Sequence, residues 1–384
     1  METLFSRRVL TPDGAVMPAT LAWSGQMIVA LERDAAPRDG LDAGDFLVLP
    51  GMVDLHGDAF ERQIMPRPGV AFGMEIALAE TDRQLIANGI TTAFHAITCS
   101  FEPGLRGVET VRSFMTAMAR IRAALVCDTR IHLRHETHNV DAVDEILGWI
   151  GSGRIDLLAF NDHTAQLVLK ARAGLSMARY VDRTGLDPVA FASMILAAGE
   201  RAGEIPATLS RLAWAALDAG VALASHDDET PEMRASYRAL GCRICEFPKT
   251  TATAADARAF DEASVLGAPN VVRGGSQSGG IDATEAIRGG LCDVLASDYY
   301  YPSMLLAALR LVAHGCMPLA EAWALVSTAP AAAVGLTDRG RLSPGLRADI
   351  VVVDDTDPRL PRVVATISGG RMAFVDASRL SPAR

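Results

Sequence analysis

Between residues 50 and 335 the chain repeats one pattern eight times: a short apolar run of strand length, then a stretch with apolar residues at helical spacing. The strand candidates are 53–56, 91–96, 130–136, 155–161, 221–226, 243–248, 270–275 and 293–298. Helical spacing is plainest at 108–125, 208–219, 254–266 and 303–313. Strands that alternate with helices call for a parallel sheet, because neighbouring parallel strands need a long crossover between them. Eight such units predict a closed (β/α)8 barrel, in which every strand points its C-terminal end at one mouth.

Several of those strand ends carry chemistry. The run Leu49-Pro50-Gly51-Met52-Val53-Asp54-Leu55-His56-Gly57-Asp58 takes an apolar strand to a His, with an Asp two residues on. Side chains two apart in an extended segment share a face, so His56 and Asp58 can approach one cation together. Glu136 ends the third run, His163 follows the fourth, His226 ends the fifth and Asp298 ends the eighth. Imidazoles with several carboxylates suit one or two divalent first-row ions, with zinc first and manganese or iron(II) as alternatives. Two cations about 3.5 to 4 Å apart could share a hydroxide and clamp attacking and leaving oxygens. Asp298 would then take the proton of the water.

Each member also has a plainer reading. A single strand-end His is as well a loop residue, and Asp298 is as well an N-cap for the helix that follows. On the third strand, parity puts His132, Arg134, Glu136 and His138 on one face, so His132 or His138 could stand in for Glu136. Joint placement at five strand ends favours the metal centre for the set.

The termini read as short strands with turn signals at 10–14, 23–25 and 38–40, and again from 340 to 375. Their simplest arrangement is a small β-sandwich domain, or single sheet, built from 1–49 and 341–384, flanking a barrel over 50–340. A net charge of −10 argues against a nucleic-acid partner. No apolar run approaches about 18 residues, and no export signal follows the first Met, so the expectation is a cytoplasmic protein without membrane contact. The six Cys are scattered, and the lone C-x-x-C of Cys242 and Cys245 has no second pair. They read as packing thiols.

The terminal strands, the Leu-Pro-Gly-Met-Val-Asp-Leu-His entry, the strand-end His residues, Asp298 and the exit strand over 340–354 resemble the amidohydrolase superfamily across nearly the whole chain. Within it, His56-Gly57-Asp58, Leu133-Arg134-His135-Glu136, Asn161-Asp162-His163-Thr164, Ala224-Ser225-His226-Asp227-Asp228 and Ala296-Ser297-Asp298-Tyr299-Tyr300 resemble the phosphonate-metabolism branch. Most superfamily members have His-x-His after strand one, where this chain has Asp58. Many bridge their metals with a carboxylated Lys, for which Glu136 is the substitute here. The resemblance implies a metal-dependent diphosphatase acting on α-D-ribose 1-methylphosphonate 5-triphosphate. Water would attack the phosphorus nearest the ribose, and diphosphate would leave.

A polyphosphate tail needs cations inside this acidic protein. Candidates are Arg62 and Arg67 after strand one, Lys249 after strand six, and Arg273 beside Gly274-Gly275-Ser276, whose backbone N–H groups could also meet phosphate. The small-molecule partner is thus a phosphorylated sugar, and the apolar outer helices make a homodimer plausible. The alternatives are an amide or cyclic-amide hydrolase or deaminase on the same platform, and a non-catalytic scaffold of this fold.

Overall fold

Turn residues near the N-terminus build a meander. The computed structural model describes residues 1–34, 40–177, 180–181, 184–276 and 279–382. In it β1 (Glu2–Leu10), β2 (Val16–Ser24) and β3 (Met27–Arg33) run antiparallel, while β4 (Leu41–Asp42) and β5 (Leu47–Pro50) lie parallel to β1. Gly14 and Gly25 sit in the first two expected turns at φ +85° and +57°, a region that favours glycine. The turn expected at 38–40 falls mostly on residues outside the described ones.

The central strands are β6 (Met52–Gly57), β7 (Ile90–Cys99), β8 (Asp128–Glu136), β9 (Leu157–Asn161), β10 (Ala222–His226), β11 (Ile244–Glu246), β12 (Ala263–Gly267) and β13 (Val294–Ala296). Each is hydrogen-bonded in parallel to the next. Then β14 (Ile350–Asp354), β15 (Arg362–Ser368), β16 (Arg371–Val375) and β17 (Ser381–Pro382) return to the N-terminal strands. Val352 pairs with Val48, so both ends of the chain share one nine-stranded mixed sheet around Leu4, Leu21, Trp23 and Ile367.

Period-two alternation places Val53, Leu55, Phe94, Leu157, Ile244 and Val265 on the barrel axis, while Leu158 and Phe160 face the helices. Ala331, from the helix Thr328–Ala333, packs on the axial cluster, and the Val53 N–H bonds to the Val326 carbonyl. These contacts close the N-terminal end and leave the C-terminal mouth open. Among the described residues, no helix is long and apolar enough to cross a membrane.

The seventh strand differs from expectation. It is Ala263–Gly267, which overlaps the end of the run 254–266 that reads as helix. The helix there is Thr251–Ala259, and Asp261 at φ +52° ends any continuation. Residues 270–275 belong mostly to the helix Ala268–Arg273, with Pro269 in its first turn, where a missing N–H costs nothing. The β-branched pair Val271-Val272 imitates a strand in sequence.

Closure between β6 and β13 relies on few groups. The Asp298 N–H donates to the His56 carbonyl at 2.8 Å and the Asp58 N–H to the Asp298 carbonyl at 2.9 Å. Beside them the buried Asp54 carboxylate accepts from the Ser297 N–H at 3.0 Å, from the Ser297 hydroxyl and from the His56 N–H at 3.3 Å. Gly57 must lack a side chain, since a Cβ would stand 2.7 Å from Asp54 Oδ2. Asp54→Ala therefore leaves buried donors unanswered and should cost about 2 to 3 kcal/mol of stability. Chemical denaturation of this variant, Ser297→Ala and the double variant should show coupling of about 1 kcal/mol; additive losses would take the pair out of the closure.

Candidate metal centre

His56 reaches the barrel interior through a break in register. Asp54 pairs with Ala93 and Gly57 with His95, so β6 spends three steps where β7 spends two. A bulge of this kind re-aims a side chain. Here it lets consecutive Leu55 and His56 both turn inward, Leu55 to the axial core and His56 to the mouth.

Around His56 the inner faces of three other strands supply donors. Its Nδ1 is 3.1 Å from Glu246 Oε1, at the end of β11, and its ring lies 5.2 Å from that of His226, at the end of β10. His132, on β8, donates from Nδ1 to the Leu55 carbonyl at 3.0 Å, which leaves the Nε2 lone pair 3.5 Å from Glu246 Oε2. His56, His226 and Glu246 place one donor atom each within 4.8 Å of one another. Among the described residues, His56 Nδ1, His132 Nε2, His226 Nδ1 and both Glu246 oxygens are buried without a hydrogen-bond partner. Two or three imidazole nitrogens and a carboxylate are the donors of a zinc-type site, so these residues fit a divalent ion.

The electrostatics agree. Burial, then Arg134 nearby, holds His56 and His226 well below the usual imidazole range, so their rings are neutral. Burial pushes Glu246 up to about 7; burial and the neighbouring Asp58 do the same to Asp298. A divalent cation favours the ionised carboxylate and the neutral ring, and thus answers both.

A second group adjoins the first. His163 lies between Glu136, whose Oε2 is 3.5 Å from Nδ1, and Asp227, whose Oδ2 is 3.0 Å from Nε2. Burial opposes a charge on His163, yet the bonds to Asp227 and Glu136 push it up to about 9. Asp227 also meets His226 Nδ1 at 3.4 Å and Lys249 Nζ at 2.6 Å, so His163, His226 and Asp227 form another potential ligand set. Glu136 accepts from the N–H groups of His163 and Thr164 and from the Thr164 hydroxyl, at the start of the helix Thr164–Arg172. It groups with His138 and Asp162, apart from His56 and Glu246. The expected bridge by Glu136 thus has a rival in Glu246, which already touches two of the imidazoles.

One cavity of about 420 Å³ opens over these groups, lined by His56, Asp58, His163, His226 and Asp298 among others. Asp298 Oδ2 faces Gly267, where any Cβ would approach it to 3.3 Å, so the missing side chain leaves the carboxylate open. Lys249, Arg273, Arg106 and Arg134 line the cavity. Arg62 is exposed and lies 5.9 Å over the Tyr299 ring at the rim. Arg67 is also exposed and does not line the cavity, because the short helix Glu61–Ile64 and a bridge from Arg67 to Val70 carry that loop outward. The Gly274 and Gly275 N–H groups are not open to phosphate either: both donate to the Asn270 carbonyl at 3.0 Å, ending the helix.

Asp227 and Phe247 directly follow β10 and β11, Asp298 lies two residues beyond β13, and all three line the cavity with φ of +63°, +52° and +54°. Left-handed geometry at a residue with a side chain costs roughly 1 kcal/mol or more, and such strain gathers at functional sites. Sequence reasoning passed over Asp227, Glu246, Arg106 and Arg134. The strand-end criterion applied to Lys249 would have found Glu246 three residues earlier.

A model of the Amidohydrolase family matches residues 284–374. The alpha-D-ribose 1-methylphosphonate 5-triphosphate diphosphatase of Escherichia coli strain K12 is 30% identical over 346 residues, covering 87% of this chain and 90% of its own. An adenine deaminase of Methylobacterium nodulans is 26% identical over 383 residues, 93% of this chain but 55% of that one. Among solved structures, dihydropyrimidinase from Brevibacillus agri shares the fold at a TM-score of 0.67 and 15% identity, covering 98% of this chain and 95% of its own. The chain belongs to the amidohydrolase superfamily, in the branch of the ribose methylphosphonate triphosphate diphosphatase. It is a hydrolase of that superfamily, whose members generally bind divalent metals.

The unpartnered donors make a direct prediction. His56→Ala, His226→Ala and Glu246→Gln should each lower bound zinc per chain, measured by elemental analysis after gel filtration; a full complement in Glu246→Gln would remove Glu246 from the centre.

Proposed function

We propose that the protein hydrolyses α-D-ribose 1-methylphosphonate 5-triphosphate to the 5-phosphate and diphosphate, with zinc as the metal. One observation carries the reading: Arg106, Arg134, Lys249 and Arg273 line the same cavity as the histidine and carboxylate groups, in a chain of net charge −10. Four cations at one mouth, two of them paired with Asp227 and Glu61, favour an anionic substrate there. The 30% identity to the diphosphatase supports the choice of triphosphate.

A bound divalent ion supplies Lewis-acid polarisation of a phosphoryl oxygen. His56, His226 and Glu246 would hold it, with Asp58, His163, Glu136 and Asp298 around the same mouth. Lys249 and Arg273 bind the outer phosphates, and Arg62 adds charge at the rim. The water oxygen forms a bond to the phosphorus nearest the ribose. The bond from that phosphorus to the oxygen bridging the next one breaks, and its electron pair leaves with diphosphate. Asp298 takes one water proton.

Phosphorus NMR of the zinc-loaded protein with this triphosphate should show diphosphate appearing while the phosphonate resonance stays intact. No change, with metal bound, would favour an amide or cyclic-amide hydrolase or a deaminase instead. Asp298→Asn should keep the fold and lose about 10²-fold or more in kcat, as a lost proton acceptor does. Lys249→Ala and Arg273→Ala should raise KM for the triphosphate about tenfold, as each removes a charge-assisted contact. Unchanged KM in both would refute the pocket.

A further inference from the structure

Among the described residues, two of the three buried guanidinium groups are matched by carboxylates. Arg234 lies 3.2 Å from Asp228 and 2.8 Å from Glu262, and Arg339 lies 2.6 Å from Asp128 and 2.8 Å from Asp338. Arg134 is different. It projects from β8 between His132 and Glu136, is 4% exposed, and still lines the cavity. Its one bonded partner among the described residues is His226, whose Nε2 accepts from a terminal nitrogen at 2.9 Å, since a guanidinium only donates. Among the described residues, one carboxylate comes within 4.0 Å of it, Asp58 at 3.8 Å, too far for a hydrogen bond. Its Nε, like that of Arg234, is buried without a hydrogen bond among the described residues, but no carboxylate stands beside it as Glu262 does beside Arg234.

A cation taken out of water and not fully bonded is expensive, and a ligand of opposite charge is what completes it. The argument sharpens with chemistry at the centre. An imidazole ring has one lone pair, so if His226 gives it to a metal, Arg134 loses its partner. If the carboxylates nearby bind metal, their charge is spent there too. The guanidinium then faces the cavity with its donors open.

We propose that Arg134 is a further catalytic residue, the cation that grips a non-bridging oxygen of the phosphoryl group attacked by water. This rests on the proposed function above. Depth separates it from the other cations: Arg134 reaches His226 and Asp58 at the floor, whereas Lys249 follows β11 and Arg273 ends the helix Ala268–Arg273. Its planar fork matches two phosphoryl oxygens, and in the transition state the charge of the transferred group is spread over those equatorial oxygens. Wall cations therefore govern binding of the tail, and Arg134 governs the chemical step.

Zinc-loaded wild type, Arg134→Gln and Arg134→Lys are titrated with inorganic phosphate by calorimetry, with metal content read on the same samples and kcat and KM measured for the triphosphate. Arg134→Gln should keep its metal, bind phosphate about tenfold more weakly, and lose about 10²- to 10³-fold in kcat with little change in KM. Phosphate affinity equal to wild type, or metal lost in parallel, overturns the assignment. Should Arg134→Gln not melt cooperatively, Arg134→Lys decides: it keeps the charge but not the fork, and wild-type phosphate affinity and kcat in it refute the role. If wild type leaves the triphosphate intact while phosphate affinity falls in Arg134→Gln, the substrate reading fails and the oxyanion contact stands. Hydrolysis with unchanged phosphate affinity in that variant gives the reverse.

Discussion

The site depends on how the parallel sheet closes. β6 and β13 meet through the His56 carbonyl, the Asp298 N–H and carbonyl and the Asp58 N–H, with Asp54 and Ser297 locked beside them. Three residues of the proposed chemistry, His56, Asp58 and Asp298, are thus part of the closing seam. A shift of one residue there would turn each side chain to the other face. Stability and function share these hydrogen bonds, which explains why Gly57 has no room for a side chain.

Register then aligns the rest. His226 pairs with Asn161 on one side and Glu246 on the other, so their side chains stand at one level on the inner face, and Glu136 joins that level through Asn161. Within two residues of the strand ends, the chain turns sharply at Asp227, Phe247 and Asp298, each in left-handed backbone. Glycine would relieve that strain, and the chain instead keeps two carboxylates and an aromatic ring facing the cavity. The sheet below, held on both sides by parallel ladders and helices, over-determines the strained turns above it.

Charge is distributed with the same economy. The barrel mouth holds carboxylates that burial alone would protonate near neutrality and imidazoles that burial keeps neutral. Divalent cations and guanidinium groups are the two answers to such a field, and both have a place here. The chain as a whole is acidic at −10, yet Arg106, Arg134, Lys249 and Arg273 line the mouth, where they draw an anion locally.

Much of this was legible in the sequence. Period-two apolar runs and helical spacing are local properties, so they determined the alternation, the barrel and seven of its strands. His56, His226 and Asp298 could be placed at one mouth because strand ends converge in any parallel barrel, and all three line the cavity there. The hairpin glycines likewise marked the terminal strands. Tertiary structure decided what depends on neighbours far along the chain. Residues 263–267 became a strand because ladders from β11 and β13 flank them, against a helical pattern of apolar residues. Glu246 entered the centre because β11 is held beside β10, and Arg134 became a floor residue because His226, 92 positions away, meets its guanidinium. Local spacing tells which face a side chain occupies; only packing tells which charges it meets there.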